Sequence, residues 1–156
     1  MSRAFVDLRF APHWAVIDPA REFLQAFFAC SLTDERLVAA VGVAAHELME
    51  NAIRYSPNDQ AHIRVEIDTD GPIRITVEND ARPEHIPRLV AEVGAIATAS
   101  DPAAYYHHKL DEATRLDDGA SHLGLARVHH EAAMHIECTV EGQRVRVVAE
   151  RRERAR

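Results

Sequence analysis

The sequence predicts a two-layer α/β sandwich, with one mixed, mainly antiparallel sheet and helices on one face. Three observations lead there. Paired segments of alternating apolar and polar residues flank Asp70-Gly71 and Glu141-Gly142, the pattern of antiparallel hairpins with one buried face. Other stretches repeat apolar residues at helical spacing. The order β, α, α, β, β, α, α, α, β, β interleaves these helices with the hairpin strands, which fits two packed layers rather than separate α and β units.

Taken in order, Ala4–Phe10 alternates and reads as a strand. Pro12 and His13 end it, and Trp14–Ile17 reads as a second short strand. Asp18 is expected to cap a helix with Pro19 at its first position, running to Cys30 with Phe23, Leu24, Phe27 and Phe28 at helical spacing. Thr33 is expected to cap the second helix, which runs to about Tyr55. His62–Thr69 and Pro72–Asn79 form the first hairpin. Pro83–Ala97 places Ile86, Leu89, Val90, Val93 and Ile96 on one stripe of a third helix. Asp101-Pro102 starts a fourth, Asp117–His122 reads as loop, and a fifth covers about Leu123–Ala133 with Ser121 as N-cap. Met134–Val140 and Arg144–Ala149 form the second hairpin.

The 156 residues suggest a single domain over 1–150, followed by a basic tail over 151–156. Hydrophobic residues make up 47% and charged residues 28%, the profile of a globular protein. A net charge of −7 gives no nucleic-acid footprint. Cys30 and Cys138 are lone cysteines in apolar company, expected as reduced, buried thiols. No signal-peptide pattern and no bilayer-length apolar run is seen, so the expectation is a cytoplasmic protein without membrane contact.

The chemistry concentrates in Val41–Pro57 (VGVAAHELMENAIRYSP). Glu47 and Asn51 are one turn apart, so a helix presents both on one face. Such a pair is either a solvated polar face or a carboxylate and an amide aimed at one point. Aimed together, they can activate a hydroxyl and hold a metal-bound phosphate. His46-Glu47 does not extend to a zinc motif, because Glu50 stands where the second His is needed. The adjacent pairs His107-His108 and His129-His130 diverge by about 100° on a helix and read as surface residues.

Three segments carry a family resemblance: HELMENAIRYS around Glu47 and Asn51, RITVEN at Arg74–Asn79, and HLGLARVHHEAAM at His122–Met134. Together with the element order, from about Ala4 to Glu150, they resemble the GHKL ATPase superfamily. The type is that of the stand-alone anti-sigma-factor serine kinases and SiaB-type regulators. The resemblance implies an ATP- and Mg²⁺-binding regulator of a bacterial partner-switching pathway. Such a protein phosphorylates Ser or Thr on a STAS-domain antagonist, with a phosphatase and a homodimeric state also in view. Glu47 would be the catalytic base and Asn51 the Mg²⁺ ligand. Asn79 and Asp80 would stand at the adenine position, and His122, Leu123 and Gly124 at the phosphate loop.

The departures are specific. Where the family has D-x-G-x-G, this chain has N-D-A-R-P from Asn79 to Pro83. Alternation puts Asn79 on the apolar side and Asp80 on the other. An Asn carbonyl accepts a hydrogen bond without charge assistance, and Ala81, Arg82 and Pro83 lack the backbone freedom of glycine. In the phosphate loop only Gly124 stands in register, with His122 replacing a glycine. The alternative is therefore a non-catalytic GHKL-fold protein that docks a signalling partner without turning over ATP.

Overall fold

The computed structural model describes residues 3–57, 60–115 and 123–152. The elements are β1 (Arg3–Phe10), α1 (Trp14–Ser31), α2 (Glu35–Tyr55), β2 (Ala61–Asp68), β3 (Ile73–Asp80), α3 (Ile86–Thr98), α4 (Pro102–Arg115), α5 (Gly124–Glu131), β4 (His135–Glu141) and β5 (Arg144–Arg151). One five-stranded sheet runs in the order β1-β2-β3-β5-β4. Every neighbouring pair is antiparallel, so the mixed character expected of the sheet is absent from the described residues.

Period-two alternation divides the sheet into two faces. Ile63, Val65, Ile67, Ile73, Ile75, Val77, Val145 and Ala149 are buried on one, beneath Val41, Ala45, Leu48 and Ala52 of α2. Phe28 and Leu24 of α1 close the same core. The opposite face carries cross-strand ion pairs, among them Arg64 with Asp7, Arg74 with Glu150 and Arg144 with Glu78. No helix of the described residues is long and apolar enough to cross a membrane.

Several local expectations change. Trp14–Ile17 is the first turn of α1, not a strand, and Pro19 lies inside that helix. Four residues carry too little periodicity to separate the two states. The Val16 N–H donates to the His13 carbonyl at 2.9 Å and closes the turn. Pro19 so near the start removes only the bond to the Ala15 carbonyl. The α2 cap is Asp34 rather than Thr33; its carboxylate accepts from the N–H groups of Arg36 at 2.9 Å and Leu37 at 3.3 Å, as a charged cap favours. Residues 83–85 form a turn, and α3 begins at Ile86. The N-cap of α5 is Leu123 without a side-chain cap bond. Ser121 and the Asp117–His122 loop lie outside the described residues. Cys30 is exposed, contrary to the buried thiol expected, and Cys138 is half-buried.

Candidate active site

Leu48 and Ala52 bury into the core and fix the rotation of α2. That rotation turns Glu47 and Asn51 toward the N-terminus of α5. Gly124 is what lets α5 approach: a Cβ there would lie 2.8 Å from Glu47 Oε2 and 3.7 Å from Asn51 Oδ1. One residue type therefore sets the distance between the two helices and both candidate side chains.

Asn51, Asn79 and Gly124 line one cavity of about 50 Å³. Its floor is the sheet at Val77, Val145 and Val147, and its wall is His85, Arg88, Leu89 and Glu92 at and after the start of α3. The Arg82 N–H donates to the Tyr55 carbonyl at 3.4 Å, and the Tyr55 and His85 rings lie 5.0 Å apart. These contacts tie the end of α2 to that wall. Asn79 is buried, and its amide nitrogen donates to the Asp80 carbonyl at 2.9 Å. The Asn79 carbonyl oxygen is thus the end of the side chain that can accept. Asp80 points to the other sheet face, 3.8 Å from Arg144, and does not line the cavity. Leu123 is half-buried at the α5 cap and also does not line it. His122 lies outside the described residues.

Glu47 opens elsewhere, onto a groove of about 690 Å³ between α1 and α2 that Arg21, Gln25, Gly42, His46 and Arg127 also line. It is only 5% exposed, and Arg127 Nη1 donates to its Oε1 at 2.7 Å. Burial pushes the Glu47 carboxyl above its usual range. Arg127 pulls it back down and Glu50 pushes it up, without cancelling the effect of burial. Burial opposes the charge of Arg127, but Tyr106, Glu47 and Glu131 outweigh it and raise its pKa. Arg127 Nε is buried without an acceptor and stands 3.8 Å from Glu131 Oε1. The Tyr106 hydroxyl of α4 donates to that same Oε1 at 3.0 Å, and its ring stacks on His130 at 4.7 Å.

The structure thus gathers Asn51, Asn79 and Gly124 in one cavity. It sets Glu47 against the same glycine but in the adjoining groove, and it leaves Asp80 apart. The Arg54 guanidinium lies 5.8 Å from the centre of the Trp14 ring. Arg127 and Glu131 escaped the sequence reading, and Tyr106, which the sequence offers as a base-stacking or helix-packing ring, packs on His130. The available signal was spacing: Arg127 follows Gly124 by one turn and shares its helix face. Among the described residues no group of three His, Cys, Asp or Glu side chains is placed to hold a metal ion.

The donor set suits a nucleotide: two amide carbonyls, and a helix start whose first N–H groups have no intrahelical acceptor. The space does not yet suit it, since ligand pockets usually offer roughly 300 Å³ or more. No protein-family model and no curated relative matches the sequence. The fold is similar to that of a chain in the crystal structure of the SiaB-SiaC complex from Pseudomonas aeruginosa. The TM-score is 0.71 at 16% identity, over 95% of this chain and 89% of that one, a likeness of fold.

Proposed function

We propose that this protein is an ATP- and Mg²⁺-binding regulator of a bacterial partner-switching pathway that phosphorylates a serine or threonine on a STAS-like antagonist, which a phosphatase would restore. The observation that carries the reading is the convergence of Asn51, Asn79 and Gly124 on one cavity, with Glu47 against the same glycine. The shared fold with a chain solved in complex with a separate protein, SiaB with SiaC, supports a protein partner.

In this reading Asn51 would hold Mg²⁺ through its amide oxygen. Asn79 would accept from the adenine amino group. The first-turn N–H groups of α5 would face the phosphates. Bound Mg²⁺·ATP supplies the transferable phosphoryl group and neutralises its charge. Glu47 takes the proton of the acceptor hydroxyl, and its raised pKa brings its basicity closer to working pH. The cavity admits the base only when the Leu89 and His85 wall moves outward.

A second reading is favoured by the Glu47–Arg127 pair at 2.7 Å. A carboxylate held by a guanidinium is a poor proton acceptor, which suits a protein that docks its partner without turnover. Calorimetric titration with Mg²⁺·ATP separates the two. The first reading requires heat of binding that Asn51→Ala abolishes. It also requires transfer of labelled phosphate to a STAS-domain protein that Glu47→Gln lowers about 10²–10⁴-fold. Absence of binding leaves the docking reading.

A further inference from the structure

We infer that the groove between α1 and α2 docks an extended segment of the protein partner, about six residues long, which lays its acceptor hydroxyl on Glu47, carries small side chains beside it and ends on a basic residue at Glu35. The role of the hydroxyl rests on Glu47 as the proton acceptor proposed above.

Glu47 lines this groove and not the cavity that holds Asn51. A hydroxyl that gives up its proton to Glu47 must come within about 3 Å of the carboxylate, from the groove side. A serine or threonine hydroxyl hangs only two bonds from the main chain. The partner's backbone itself must therefore enter the groove.

The walls permit that entry. The groove shares Gln25, Ala29 and Ala39 with a second hollow of about 600 Å³, so the two join along the helix seam as far as Glu35. Between Glu35 and Glu47, α2 climbs roughly 18 Å, the length of about six extended residues. Ala26, Ala29 and Ala39 are exposed on the groove, and Gly42 is half-buried there. Long polar side chains at these positions would hold a backbone off; methyl groups and a glycine let it approach.

An extended backbone also needs partners for its N–H and C=O groups, and the closed ladders of two helices offer none. The Gln25 amide is both donor and acceptor. It lies over Gly42, where a Cβ would collide with Gln25 Oε1, so the glycine keeps a place for it. Charge sets the direction of the segment. Among the described residues, Glu35 is the only charged one lining the far hollow, and it is exposed. A lysine or arginine complements it there, while the Glu47 end mixes Arg21 and Arg127 with Glu22. Such rim contacts fix register more than affinity.

The test titrates the full chain with the acetylated, amidated peptide Gly-Ser-Ala-Gly-Ala-Ala-Lys and with its reversed sequence, followed by NMR. One of the two is expected to shift the amides of Ala29, Ala39 and Gly42 saturably, and the Glu47 carboxyl carbon with them. The same peptide with alanine for serine is expected to leave the carboxyl carbon unmoved. Leucine in place of the alanine beside serine is expected to weaken binding about tenfold. Ala39→Gln, which fills the groove but keeps a good helix former, is expected to do the same, with Ala29→Gln as substitute should it not fold. Absence of groove shifts with both peptides overturns the inference, as does equal affinity for the leucine peptide. Groove shifts that follow protein concentration alone, with a dimer mass in sedimentation, give the groove to a second copy and also overturn it. Calorimetry with Mg²⁺·ATP on the same sample judges the nucleotide site separately: no heat beside intact groove shifts sinks the proposed function and leaves the docking site.

Discussion

Glu47 and Asn51 stand one turn apart on α2 and against the same glycine, yet they open onto different hollows. Asn51 faces the cavity beneath α3, and Glu47 faces the groove between α1 and α2. A hydroxyl delivered along the groove and a phosphate held in the cavity would therefore meet at Gly124, from opposite sides.

That meeting point makes Gly124→Ala informative. The new methyl would stand 2.8 Å from Glu47 Oε2, so the carboxylate must move. Overpacking of this kind costs about 1–3 kcal/mol, and the helix propensity of Ala returns at most about 1. A net loss of about 0–2 kcal/mol is expected in denaturant unfolding when the full return is realised. If the cavity is the nucleotide site, the forced shift of the Glu47 carboxylate beside it is expected to lower Mg²⁺·ATP affinity in calorimetry as well.

Arg127→Met leaves Glu47 buried without its cation. Removing one partner of a fully buried pair costs about 3–5 kcal/mol. Arg127 is 35% exposed along its side chain, so a smaller loss of about 1–3 kcal/mol at neutral pH is expected. The sign with pH follows from the raised pKa of Glu47. Its folded-state value lies above the ordinary 4.5, so stability falls as pH rises from that value through the folded one. The variant carries a higher folded-state pKa still. Its loss is expected to shrink in acid and grow toward neutrality in urea unfolding measured across pH.

Asp7 has the opposite sign. Hydrogen bonding from His62, then from Arg64, holds its carboxyl below the usual 3.8. Its contribution is present above that value and lost as pH falls through the folded one. Asp7 joins edge strand β1 to β2, where Arg64 is its register partner. Asp7→Asn is expected to speed amide exchange of β1 at neutral pH. In acid, where the wild-type carboxyl is also protonated, the difference is expected to vanish.

Leu48 separates the core from the cavity and is 2% exposed. Leu48→Ala is expected to cost about 2–5 kcal/mol in chemical unfolding. If the cavity is the adenine site, the folded fraction is expected to bind Mg²⁺·ATP no more weakly than wild type, because the room the base needs is already present.

Asn79→Leu tests the acceptor at the cavity floor. Leu is close in size, so the sheet face is preserved, but no atom remains to receive an N–H. If the cavity is the adenine site, selective loss of adenine over guanine nucleotide binding is the expected result, read by competition with a fluorescent ATP analogue.

Much of the architecture was legible because its signals are local. Alternation at Ile63, Val65 and Ile67 and at Ile73, Ile75 and Val77 names two strands and their buried face, and Asp70-Gly71 names the turn between them. Parity along β3 likewise put Asn79 inward and Asp80 outward, as found. Where two local signals competed, as at Thr33 and Asp34 or at Trp14–Pro19, the boundary shifted by one to several residues.

The i, i+4 spacing by itself placed Glu47 and Asn51 on one helix face, because helical geometry leaves no other arrangement. It did not determine what each side chain meets. Arg127 reaches Glu47 across 80 residues of sequence, and the cavity wall comes from α3. Only the packing of α5 on α2 through Gly124 decided that the carboxylate is paired and the amide faces the cavity. Such contacts depend on the relative placement of whole helices, which no local periodicity records.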